Sequence, residues 1–239
     1  MTAREYGTTG RIGVGTPQGN PTVEAEFRRL LPAGTDFVTT RLHSNQADTA
    51  DRLVEYLERL PDYLATFGGM PLDIFCFACT GSSYLVGAVR EHAIVEAAEQ
   101  HFGYPILTAT TALRRELQRL NATRIALVAP YQDWLLTAGE KFWASQGIEV
   151  VLTRPVQTAN AEDTRTIYDL TSTDALATVR NLGPLHTDAL LLSGTGMATL
   201  PALSAIRAIA GVPVLTSNLA LAEEAQRACT TTGGTSSCA

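Results

Sequence analysis

The sequence predicts an α/β protein of two similar halves, each a parallel sheet flanked by helices, with the binding site in the cleft between them. Three observations carry this reading. Short apolar runs of strand length alternate with longer helix-like stretches, the pattern of βα units and parallel sheet. Three pairs of segments recur in the same order at nearly one period. "RIGVGTPQGN" from Arg11 is matched by "RIALVAPYQD" from Arg124, "FACTGSS" by "LLSGTGM", and "YPILTATTAL" by "VPVLTSNLAL", at offsets of 113, 115 and 108 residues. Finally, 239 residues at 45% apolar content suffice for one large domain or two of roughly 100–120 residues with a substantial core.

In chain order, eight runs read as buried parallel strands: "RIGVG", "DFVTT", "LDIFCF", "YPILT", "RIALVA", "EVVLT", "ALLLSG" and "VPVLT". Helices are expected between most of them, at "TADRLVEYLERLPDYLATF", "GAVREHAIVEAAEQHF" and "TALRRELQRL". The N-terminal half is expected over residues 1–120 and the C-terminal half over 121–228, divided near "RLNATR". Residues 229–239, ending in the low-complexity "TTTGGTSSCA", are expected to form a mobile tail.

Composition excludes several classes of function. A net charge of −6 without a basic patch disfavours nucleic acid. No apolar run reaches the roughly 20 residues of a membrane span. The N-terminal residues lack the apolar core of a secretory signal, so a cytoplasmic location is expected. Four cysteines without framework spacing read as reduced thiols, and no histidine pairs with a cysteine at zinc-ligand spacing. No metal is expected.

Loops at the carboxyl ends of parallel strands form the binding site. That places "TPQGN", "CTGSS", "PYQD", "TANAED" and "SGTGM" around one pocket. "CTGSS" and "SGTGM" each read as a strand-to-helix turn whose amides and hydroxyls could cradle an anion. Cys79 is the candidate for proton or nucleophile chemistry, since a thiol at a helix start is expected to have a lowered pKa. Cys76, three residues earlier, reads as core. Tyr131 could donate its phenolic hydrogen bond, although an exposed loop tyrosine has the same sequence signature. Asn20 and Asn160 supply uncharged amides. Arg41 and His43 follow a strand end but read more simply as solvated loop residues. "RIGVGTPQGN" lacks the G-x-G-x-x-G spacing, so no nucleotide cofactor is expected.

These motifs, in this order, carry a resemblance. "VGTPQGNPTVE" resembles the first loop of maleate cis-trans isomerases, and "FACTGSS", "APYQDW", "TANAED" and "LLSGTGM" follow it in order. Apart from its tail, the chain is similar to the aspartate/glutamate racemase superfamily, in the branch that holds arylmalonate decarboxylase and maleate isomerase. The resemblance implies a pseudo-twofold α/β fold, with the active site in the cleft between the halves, and an enzyme without a cofactor acting on a small mono- or dicarboxylate. Self-association into a homo-oligomer is left open. It places Cys79 at the first of two cysteine positions and Gly194 at the second. Thr80, Gly81, Tyr131 and Thr195 match donors around a carboxylate. Asn20 and Asn160 match the isomerase asparagines. One thiol instead of two departs from the racemase pattern. The leading expectation is decarboxylation of a disubstituted malonate through an enediolate protonated by Cys79. The alternatives are cis-trans isomerisation of a maleate-type acid with Cys79 as nucleophile, and a non-catalytic small-acid binding protein.

Overall fold

The computed structural model describes residues 4–160 and 164–234. The first half runs β1 (Gly10–Pro17), α1 (Thr22–Leu30), β2 (Thr35–Leu42), α2 (Thr49–Glu58), α3 (Leu60–Ala65), β3 (Ile74–Phe77), α4 (Thr80–Val86), α5 (Ala88–Phe102), β4 (Ile106–Thr108) and α6 (Ala109–Arg119). The second runs β5 (Arg124–Ala129), α7 (Asp133–Ser145), β6 (Glu149–Pro155), α8 (Ser172–Arg180), β7 (Ala189–Leu192), α9 (Leu203–Ala210), β8 (Val214–Thr216) and α10 (Ser217–Gly234). Two 3-10 turns, Thr164–Asp169 and Leu200–Ala202, fall in the second half.

Each of the eight apolar runs forms a strand. The strands assemble into two four-stranded sheets of the same order, β2-β1-β3-β4 and β6-β5-β7-β8, with every pairing parallel. The matched "P-[IV]-L-T" segments become the equivalent edge strands β4 and β8. β3 and β7 are buried at every position because sheet neighbours flank them and helices cover both faces. The long stretch expected as one helix after residue 49 is two. Asp48 caps α2 by accepting from the backbone N–H groups of Ala50 (2.8 Å) and Asp51 (3.0 Å). The helix ends at Arg59, and Pro61, which has no N–H to continue the ladder, sits in the first turn of α3.

One core joins the halves. Ile12, Val14 and Ile74 of the first sheet cluster with Ile125, Leu127 and Leu191 of the second, and α10 contributes Leu221 and Ala225. This last helix returns to the first half and packs on α1, α6 and β3. It carries the described chain to Gly234, past the residue-228 boundary. Cys229, assigned above to the tail, is buried in the shared core. Residues 235–239 lie outside the described residues.

Candidate active site

The carboxyl ends of β1, β3, β5 and β7 open onto one cavity of about 180 Å³. β1 brings Pro17 to Asn20, β3 brings Cys79 and Gly81, β5 brings Tyr131, and β7 brings Gly194 to Gly196. Four of the five expected loops therefore meet. "TANAED" does not meet them within its described part. Asn160 is exposed and does not line the cavity; its carbonyl accepts from Thr166 Oγ1 at 2.7 Å. Residues 161–163 of that loop lie outside the described residues.

Cys79 has extended backbone (φ −149°, ψ 102°) immediately before α4 and is 5% exposed. Burial pushes its thiol above the usual value. The Ser82 hydroxyl, which donates to Sγ at 3.2 Å, opposes that shift, as do the backbone N–H groups of Ser82 and Gly81 and the charge of Arg52. The lowered pKa expected from a helix start is thus overturned. Removing the thiolate from water costs more than α4, of seven residues, returns. The resting side chain is a protonated thiol with donors in place for the thiolate.

Tyr131 is half-buried, with its hydroxyl 2.6 Å from Thr80 Oγ1. Burial raises it well above the ordinary phenol value, so it remains a donor. Thr80 is fully buried and stands behind the cavity wall as Tyr131's partner. Thr195 is buried too. Its hydroxyl donates to the carbonyl of Ala78 (2.8 Å), the residue before Cys79, and accepts from Asn20 Nδ2 (3.4 Å). The hydroxyl proton of Thr195 is thereby used between the two loops. Asn20 is likewise engaged, because its Oδ1 accepts from the backbone N–H groups of Thr22 (2.9 Å) and Val23 (3.4 Å) at the start of α1.

Gly194 departs most from expectation. Its loop opens into a turn at Thr195–Gly196, and the next helical residues begin only at Leu200. Its φ is +119°, a region nearly closed to side chains, and a Cβ there would meet Pro130 Cδ at 3.0 Å and the Tyr131 hydroxyl at 3.3 Å. Its N–H donates to Ser217 Oγ at 3.0 Å.

The sequence reading missed the helical and apolar walls. α2 contributes Arg52, Leu53 and Tyr56, α7 contributes Leu135, and the first 3-10 turn contributes Arg165, Ile167 and Tyr168. The (i, i+4) spacing of Arg52 and Tyr56 was the available signal that both share one helix face. Tyr168 packs against Gly19 and Gly196, where a Cβ would lie 3.1 Å and 2.8 Å from its ring. Burial raises this phenol to about 12. Among the described lining residues are two guanidinium groups and no carboxylate, in a chain of net charge −6. Arg41 and His43 lie outside the cavity lining. Arg41 pairs with Glu24 (2.6 Å) and reaches the Asn20 carbonyl (3.0 Å).

Known proteins resemble this chain in sequence and fold. An arylmalonate decarboxylase from Bordetella bronchiseptica is 24% identical over 214 residues, covering 90% of this chain and 88% of its own. A maleate isomerase from Nocardia farcinica is 28% identical over 216 residues, covering 86% and 84%. The crystal structure of the maleate isomerase Iso from Pseudomonas putida S16 superposes with a TM-score of 0.83 at 21% identity, covering 91% of this chain and 92% of that one, a likeness of fold. No helix among the described residues is long and apolar enough to cross a membrane. The family model for arylmalonate decarboxylase matches residues 12–236, which include both sheets and every cavity loop. The chain belongs to the arylmalonate decarboxylase family and is an enzyme, a lyase or an isomerase.

Proposed function

We propose that the chain decarboxylates a disubstituted malonate-type acid, and that Cys79 protonates the resulting enediolate. The observation that carries this reading is a buried thiol beside an apolar wall, where burial favours its neutral form, with glycine at the position that the resemblance gives to a second thiol. A carboxylate held against Leu53, Leu135 and Ile167 loses hydration, which favours its departure as neutral CO₂. The C–C bond breaks, and its electron pair passes into the second carboxylate as an enediolate. Tyr131, supported by Thr80, donates to that anion, and donors aimed at developing charge are usually the largest catalytic contribution. The Cys79 S–H bond then breaks, and its proton goes to the α-carbon. The thiolate left behind is held by the Ser82 hydroxyl and the Gly81 and Ser82 amides until solvent returns a proton. No step calls on a cofactor.

A second reading, isomerisation of a maleate-type acid, is favoured by Arg52 and Arg165. Two cations in the lining suit a substrate that keeps both carboxylates, and the charge of Arg52 draws the thiol toward the nucleophilic thiolate.

The pH profile separates the two. A general acid works only while protonated, so the decarboxylase rate stays level at neutral pH and falls as pH rises through the raised Cys79 value. A thiolate nucleophile gives the reverse, a rate that climbs with pH over the same range. Measuring kcat against pH on a malonate and on maleate decides between them.

A further inference from the structure

Glu26 lies on α1, outside the cavity lining, and is 4% exposed. Among the described residues, every hydrogen bond its carboxylate makes is as an acceptor, and each donor belongs to the second half. Oε1 accepts from the backbone N–H groups of Thr199 and Leu200, both at 2.8 Å. Oε2 accepts from Asn218 Nδ2 at 2.8 Å, and the same amide donates to the Thr195 carbonyl at 3.1 Å. One helical turn earlier, Thr22 Oγ1 donates to the Gly196 carbonyl at 2.8 Å. The Gly194–Gly196 turn is thus held from below by α1 of the other half, while Thr195 reaches across to Ala78 beside Cys79. A carboxylate suits this place because a glutamine amide would turn donors toward donors on one side. Asn218 is oriented by the same contacts, having an acceptor for each of its amide protons.

We propose that Glu26 is a positioning residue whose carboxylate, through Asn218 and the Thr199–Leu200 amides, fixes the Gly194–Gly196 turn as the second wall of the cavity that holds Cys79. Its role is to close the thiol's surroundings and to leave one route by which a proton reaches the substrate. The stereochemical consequence rests on the decarboxylation reading; the structural one does not.

The test uses Glu26→Gln and Asn218→Ala beside the wild type. Iodoacetamide alkylation of Cys79 and Cys76 is followed by peptide mass mapping. The proposal expects Cys79 to react several times faster in both variants while Cys76 in the core stays protected. On a prochiral malonate, turnover falls on the order of 10–100-fold, as misplacement near a reacting centre does, and the enantiomer ratio of the product drops. That ratio does not depend on how much protein is folded. Unchanged Cys79 alkylation, or Cys79 and Cys76 rising together as in global loosening, overturns the proposal. A wild type inert on every malonate removes the proposed function and the stereochemical arm, and alkylation then decides alone.

Discussion

The Cys79 loop and the Gly194 loop occupy equivalent places after β3 and β7, yet the backbone uses them differently. Cys79 has extended dihedrals that any residue adopts, and a helix follows at once. Gly194 has φ +119°, a turn follows, and its N–H is held by Ser217. The position in the first repeat that matches Ser217 is Ala109, at the same 108-residue offset as Thr216 and Thr108, and it offers no side-chain hydroxyl. Gly194 therefore differs from Cys79 in backbone as well as in side chain. Its backbone adopts a conformation that disfavours a side chain, with Pro130 and Tyr131 beside the space that a Cβ would take. Under the proposed decarboxylation, the first loop supplies the proton donor and the second loop a wall.

The largest expected effect is on the side that keeps its thiol. Cys79→Ser is expected to lower turnover on the order of 10²–10⁴-fold, the usual contribution of a general acid. Cys76→Ser and Cys229→Ser keep most of the activity per folded molecule, because both thiols are packed in the core away from the cavity. Comparable losses at Cys79 and Cys76, measured as kcat on purified folded protein, would remove the asymmetry.

Next comes the group between the loops. Tyr131→Phe removes the hydroxyl that meets Thr80 and approaches Gly194, and turnover falls on the order of 10²–10³-fold, as when one oxyanion donor is lost. A fall in melting temperature with intact specific activity would instead make Tyr131 a strut.

The smallest effect is read in stability. Gly194→Ala forces a Cβ into the left-handed region against Pro130 and costs roughly 1–3 kcal/mol. Cys79→Ala, on ordinary backbone, costs less. Paired denaturant titrations read the difference, and equal costs at the two positions would show that the backbones are interchangeable.

Much of this was legible in the sequence. All eight strands stand out because buried parallel strands are short unbroken apolar runs, and the repeat alone places Cys79 opposite Gly194. Cys79, Tyr131 and the Gly194 turn come together because each directly follows a strand. Three things were not legible. Arg52 and Tyr56 reach the cavity from inside α2, where no loop motif marks them. The Cys79 thiol rises rather than falls, because burial outweighs a seven-residue helix. Thr195 reads as a donor to a carboxylate, but its hydroxyl is spent on Ala78 in a different part of the chain, a pairing that only the fold creates.

The central claim is that one thiol delivers one proton to one face. The most direct measurement is wild-type turnover of a prochiral disubstituted malonate in deuterated water, with chiral chromatography and mass analysis of the product. The account predicts a single enantiomer carrying one deuterium at the α-carbon, with no exchange of that position when the product is returned to the enzyme. A racemic product, or an enzyme inert on malonates that converts maleate, would contradict it.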